Sequence, residues 1–213
     1  MEIVWHGLSC FRLTERGKAS VVTDPYDHEA VGFNALKLRA DIVSVSHDAP
    51  GHSYLNGVKG VAHIINGPGE FEIGEVFITG VRTSDRKKKG DDTPNTLYVF
   101  DYDGVTVAHL GDLQRSLTQA EVDALGTVNV ALVPVGGGSS LNAAAAAEVI
   151  SLLEPGIVIP MHYKTRHTTL KLDPLDKFLK EMGLGEVKTE SALKVVASSI
   201  PEDTQVVVLE PES

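Results

Sequence analysis

Sulfur offers this chain no structural chemistry. Cys10 is the one cysteine among 213 residues, so no internal disulfide can form and a reducing compartment fits. Positive charge is also short: 19 Lys and Arg stand against 29 Asp and Glu, for a formal net charge of -10. That balance argues against a broad nucleic-acid footprint and favours solubility. No apolar run is long enough to span a bilayer. The start, Met1-Glu2-Ile3-Val4-Trp5-His6, lacks the basic segment and apolar stretch of a secretory leader. A cytoplasmic protein without membrane attachment is the expectation. No stretch has the length or composition of an interdomain linker, so residues 1–213 are read as one domain.

What is present alternates between strand and helix signals. Short β-compatible runs at Glu2 to His6, Cys10 to Thr14 and Ser20 to Thr23 are separated by Gly7 and Gly17. A helical stretch is expected around Ala35 to Arg39, before a β-branched run ending at Ser46. Asp103-Gly104 between two apolar runs signals a hairpin. Helices are expected at Leu117 to Leu125, with Thr118 and Glu121 as a capping box, and at Asn142 to Leu153. Another is expected at Asp173 to Glu181, capped by Asp173 with Pro174 in its first position. Strands at Ala192 to Ser198 and Gln205 to Leu209 close the chain. Strands outnumber helices, which favours an α/β arrangement of two mixed sheets packed together with helices outside. The run Arg86 to Asp92 reads as a solvated loop or a flap over a pocket.

Four residues stand just past apolar strands, where loops converge on a rigid scaffold: His47, His52, Asp112 and His162. Imidazole and carboxylate suit zinc, iron or manganese. Each residue has a plainer reading as a loop hydrogen-bonder or turn former, and it is their shared placement that points to a metal. Asp24, after Val21-Val22-Thr23, is a further candidate, either orienting a ligand histidine or acting as a base. Asp112 and Asp24 are thus the candidate catalytic carboxylates. Lys164 and Arg166, just beyond His162, are candidates for holding an anionic substrate. Gly136-Gly137-Gly138-Ser139 lacks the lysine of a phosphate loop. Cys10 reads as buried packing rather than a reactive thiol.

Several segments in order carry a resemblance. They include Trp5-His6-Gly7-Leu8-Ser9-Cys10-Phe11, Val22-Thr23-Asp24-Pro25-Tyr26, Val45-Ser46-His47, Gly67-Pro68-Gly69-Glu70, His109-Leu110-Gly111-Asp112 and Ile159-Pro160-Met161-His162-Tyr163. Through them the chain resembles the metallo-β-lactamase-fold hydrolases. Within these it is similar to the compact zinc-dependent hydrolases of the branch that includes L-ascorbate-6-phosphate lactonase. The resemblance implies a four-layer αββα sandwich with a metal site in a cleft between the sheets. The family loop His-x-His-x-Asp-His, laid on this chain, falls on His47, Ala49, Gly51 and His52. Ala49 and Gly51 cannot ligate, and a further histidine position falls on Ser84.

The resemblance therefore implies a degenerate centre. One site is reduced to His47 and Asp112, while the other keeps His52, Asp112 and His162 for one ion, zinc or else manganese or iron. Asp48 and Asp85 are candidate replacement ligands. The implied activity is hydrolysis of a small ester, lactone or phosphoester, mildly favouring an anionic one, and not β-lactam hydrolysis. The competing reading is a non-catalytic relative that binds a small ligand or a partner in the old cleft. Homo-oligomerisation is left open by the sequence.

Overall fold

The computed structural model describes residues 1–83 and 94–212. Ser84, Asp85 and the charged run Arg86 to Asp92 lie outside them. Two mixed sheets face each other. One has six strands in the order Leu193–Lys194, Glu2–Gly7, Cys10–Thr14, Val21–Thr23, Ile42–Ser44, His63–Ile65. The other has seven: Gln205–Val206, Ile157–Met161, Val130–Pro134, Val105–His109, Asn95–Tyr102, Val76–Thr83, Gly69–Ile73.

The layering follows from alternation along strands of the six-stranded sheet. Phe11, Leu13, Val21 and Ile42 enter the large core between the sheets. Their neighbours Cys10, Val22 and Val43 point the other way, into a second cluster with Tyr26, Val31 and Phe33. That second face is covered by the short helix His28–Val31 and the chain that follows it. On the seven-stranded sheet, Ala143–Leu153 buries Ala146, Val149, Ile150 and Leu153 and packs on Leu175–Glu181. Apolar strands facing apolar strands, with helices outside, bury both faces of each sheet.

Tyrosines tie the two sheets together. The Tyr98 hydroxyl donates to the Val45 carbonyl at 3.0 Å, and that of Tyr102 to the Ala19 carbonyl at 2.9 Å. Both rings are buried, and a buried phenol needs such a partner.

Several expected elements shift. Residues 35–39 are not a helix: Leu38–Arg39 is a short strand, and the helix lies earlier, with Asp27 capping it through the Glu29 amide. The capping box at Thr118 and Glu121 is present, and the helix it starts is Gln119–Leu125. Pro174, not Asp173, is the cap residue of Leu175–Glu181. Asp173 instead takes an ion pair with Lys177 at 2.6 Å. Ala192 to Ser198 splits into a two-residue strand and a 3-10 turn, Ala197–Ser199.

Strand direction places the chemistry. Val21–Thr23, Ile42–Ser44 and His63–Ile65 are mutually parallel neighbours. So are Val105–His109, Val130–Pro134 and Ile157–Met161. Parallel neighbours deliver the loops after them to one edge, where ligands bind in layered α/β proteins.

Candidate metal centre

Asp24, the loop carrying His47 and His52, Asp112 and His162 all follow these parallel strands. The His52 and Ser53 amides both donate to the Ala49 carbonyl, at 2.8 and 3.0 Å. That single turn brings His52 to Asp24, where Nδ1 lies 2.8 Å from Oδ2. Asp112 is delivered by Gly111 in a left-handed conformation, φ 55°. A Cβ at Gly111 would meet the Asn95 side-chain oxygen and come within 2.6 Å of Ser46 Cβ, so the position requires glycine. Asn95 braces the turn on both sides: its Oδ1 accepts the Asp112 amide at 3.0 Å and its Nδ2 donates to the Leu110 carbonyl at 3.1 Å. His162 is itself left-handed, φ 53°, with its amide donating to the Leu8 carbonyl at 3.1 Å. Non-glycine residues in that region cluster where structure over-determines them, often at functional sites.

Asp112 is the hub. His52 Nε2 lies 3.5 Å and His162 Nε2 3.3 Å from its Oδ1. His47 Nε2 lies 3.9 Å from its Oδ2. His47, His52 and Asp112 each offer a ligand atom within 4.8 Å of the others. The His47 and His52 rings lie 4.2 Å apart, and those of His52 and His162 5.7 Å. Three imidazoles thus surround one carboxylate, His47 on the side of Oδ2 and His52 and His162 on the side of Oδ1.

The outer contacts orient each ring. Asp24 is fully buried and accepts from the Ser46 amide at 2.7 Å, the Ser46 hydroxyl at 2.6 Å and His52 Nδ1. An ionised carboxylate only accepts, so Nδ1 of His52 carries the proton and Nε2 is turned to Asp112. Ser140 Oγ lies 3.3 Å from His162 Nδ1 and Ser46 Oγ 3.1 Å from His47 Nδ1. Ser139 Oγ donates to Asp112 Oδ2 at 2.7 Å. Asp112 Oδ1, by contrast, is buried and accepts no hydrogen bond among the described residues. A buried carboxylate oxygen left bare beside two imidazole nitrogens is the environment a cation completes.

The electrostatics agree. Burial would raise the Asp112 carboxyl, but His162, His52, the Ser139 hydroxyl and His47 outweigh it and hold it at about 2. Burial works against the charged form of His52, yet Asp112 and Asp24 together raise its pKa above the ordinary value. His162 and His47 are lowered, chiefly by burial. A bound metal would take the place of the proton that His52 attracts.

Three expected roles change. Asp24 is not placed as a base: both its oxygens are taken by donors, so it positions His52. Asp48 is no replacement ligand, because it is exposed and accepts from the Ser53 hydroxyl at 2.9 Å; Asp85 and Ser84 fall outside the described residues. Lys164 is turned to its own loop. Its ammonium donates to the Thr168 and Leu170 carbonyls at 2.7 and 3.3 Å, clamping its own loop. Arg166 is exposed and donates to His167 Nε2 at 3.0 Å. His167 in turn lines a cavity of about 560 Å³ with His6, Tyr26, Phe33, Lys37 and Glu212, and none of the four central residues is among its lining. His6 belongs to that cavity wall, where burial and then Arg12 lower its pKa to about 4.

Sequence reasoning missed Ser46, Asn95, Ser139 and Ser140. All four are small polar residues in the loops or strand ends around the centre. Gly51 has no side chain, and a Cβ there would sit 3.0 Å from Leu8 Cδ2 and 3.6 Å from Val31 Cγ1. A side chain at 51 would start against Leu8.

A family model described as the beta-lactamase superfamily domain matches residues 2–162. The chain belongs to the beta-lactamase superfamily. A crystal structure from Thermotoga maritima, described as a candidate Zn-dependent hydrolase of the metallo-beta-lactamase superfamily, is 34% identical. It superposes with a TM-score of 0.78, covering 98% of this chain and 97% of that one. A UPF0173 protein of Pyrococcus furiosus is 29% identical over 85% of this chain and 90% of its own length. A UPF0173 metal-dependent hydrolase of Thermoplasma volcanium is 28% identical over 82% and 88%. The fold of this superfamily member is thus the metallo-β-lactamase fold, as the sequence resemblance implied.

Proposed function

We propose that this protein is a metal-dependent hydrolase working with one divalent ion, zinc by preference, on a small ester, lactone or phosphoester. The observation that carries the reading is the bare, buried Oδ1 of Asp112, flanked by His52 Nε2 and His162 Nε2. His52, His162 and Asp112 would hold the ion, with His47 beside them; two or three imidazoles and one carboxylate suit zinc. When bound, a divalent ion supplies Lewis acidity that polarises a carbonyl or phosphoryl oxygen and acidifies water.

The chain's own residues supply orientation. Asp24 fixes the His52 tautomer, and Ser140 stands against Nδ1 of His162. Asp112, held ionised by its neighbours, keeps negative charge at the centre across the ordinary pH range. The relatives named as metal-dependent hydrolases support the same activity class. The anionic preference loses the support of Lys164, whose ammonium is engaged in its loop.

A second reading, a binding protein without turnover, is favoured by Ala49 and by the Leu8 side chain packed at Gly51. One experiment separates the two. Purified protein is analysed for metal content, then assayed on a panel of small esters, lactones and phosphoesters before and after chelation. We expect one ion per chain and chelator-sensitive hydrolysis that Asp112→Ala abolishes. One ion without turnover supports the binding reading. No ion even after zinc loading, or two ions retained after dialysis, refutes the single-metal centre.

A further inference from the structure

The two oxygens of Asp112 are treated unequally. Oδ2 accepts the Ser139 hydroxyl at 2.7 Å, while Oδ1 has no donor among the described residues and faces His52 and His162. Ser139 reaches Oδ2 from the loop after Val130–Pro134, where Gly137 and Gly138 are both left-handed, φ 67° and 72°. The loop is held from behind: the Asp173 amide donates to the Gly136 carbonyl at 2.8 Å, and the Gly137 amide to the Leu141 carbonyl at 2.9 Å. Ser139 is exposed, so its hydroxyl is not placed there by core packing.

A carboxylate oxygen that already accepts a short hydrogen bond is the poorer donor of the pair, so an ion is drawn to the oxygen left bare. Outer contacts of this kind tune a metal site. We propose that Ser139 is a positioning residue that sets how Asp112 presents its carboxylate, engaging Oδ2 so that an ion is taken through Oδ1. The inference rests on the metal-centre reading above and goes beyond it, because it assigns the choice of ligating oxygen to a side chain that is not itself a ligand.

The test is cobalt(II) substitution, which reads coordination directly through visible absorption. Wild type, Ser139→Ala and Ser139→Thr are loaded with cobalt(II) alone and titrated to the end point. Threonine keeps the hydroxyl and serves as the rescue. In Ser139→Ala we expect the visible bands to weaken and shift as Oδ2 joins the coordination, with a change of about tenfold or more in cobalt affinity. Ser139→Thr should retain the wild-type spectrum. A Ser139→Ala spectrum and affinity that superpose on wild type would overturn the role of Ser139 while leaving the metal centre standing. A threonine variant that shifts as far as alanine would overturn it too, since the hydroxyl would then not be responsible. A wild-type protein that develops no cobalt spectrum would instead overturn the metal centre, and this inference with it.

Discussion

Replacing Asp24 by Asn tests the centre without touching any residue that would hold the ion. The backbone there is left-handed, φ 37°, and asparagine tolerates that region about as well as aspartate. The amide keeps one acceptor and gains a donor, while three donors now point at the carboxylate. If the amide oxygen stays with the Ser46 amide, the new NH₂ faces His52 Nδ1. His52 must then carry its proton on Nε2, the nitrogen turned to Asp112. If the amide flips, the NH₂ opposes the Ser46 N–H, and a buried donor goes unsatisfied at about 1–3 kcal/mol. Disturbing such an outer contact costs roughly 10–100-fold in metal affinity, equivalent to about 1.4–2.7 kcal/mol. Zinc titration against a competing chelator measures the loss, and the ¹⁵N resonances of His52 report the tautomer. Zinc affinity within twofold of wild type, with the His52 proton still on Nδ1, would refute the orienting role of Asp24.

Other outcomes follow from the same geometry. Gly136→Ala puts a Cβ into the His162 carbonyl and 2.7 Å from Tyr163 Cα, so a lowered Tm and weakened zinc binding are expected together, by calorimetry and titration; a neutral Tm would show the loop yields freely. Asp24 and Asp112 are both lowered, Asp112 from 3.8 to about 2. The stability they contribute is complete above their unfolded values and is lost as pH falls through the folded ones, so the metal-free Tm should drop between about pH 4 and pH 2. His52 has the opposite sign: its raised pKa stabilises the metal-free protein below 6.5, and that contribution disappears as pH rises through the folded value. Zinc affinity should accordingly increase as pH rises through it, because the proton must leave. Cys10 is fully buried and its thiol is pushed up by burial; thiol reagents should label it in denaturant and not in the native protein. A zinc-loaded sample should not open a chromogenic cephalosporin at an ordinary enzymatic rate, above roughly 1 s⁻¹.

Much of the fold was legible because strand and turn signals are local. The Asp103-Gly104 turn has φ of 60° and 85°, the geometry that the hairpin signal demands. The capping box at Thr118 is likewise a contact between residues three apart. Residues 35–39 misled because their composition suits a helix while their pairing, Leu38 with Val58 and Arg39 with Lys59, is long-range. His47, His52, Asp112 and His162 could be nominated from their strand ends. Their gathering around Asp112 was implied by the family resemblance and not by spacing, since it depends on two parallel strand sets from different sheets opening to one edge. Lys164 shows the converse: its neighbourhood with His162 in sequence suggested a substrate contact, yet the carbonyls of residues four and six further on take its charge. The serines left no signal, because a hydroxyl's role is set by what lies across a gap.

The closeness of Leu8 to position 51 couples the two under mutation. Leu8 is buried, and its Cδ2 lies 3.0 Å from where a Cβ at 51 would be. Introducing aspartate at 51 alone forces a packed leucine aside and brings a carboxylate against its methyl groups. Trimming Leu8 alone to alanine leaves a void, at a cost of roughly 2–5 kcal/mol. Each single step is unfavourable for a different reason, so the pair should be strongly non-additive. Adding a carboxylate at 51 should therefore succeed best with Leu8 changed at the same time, or in a protein stable enough to survive the first step.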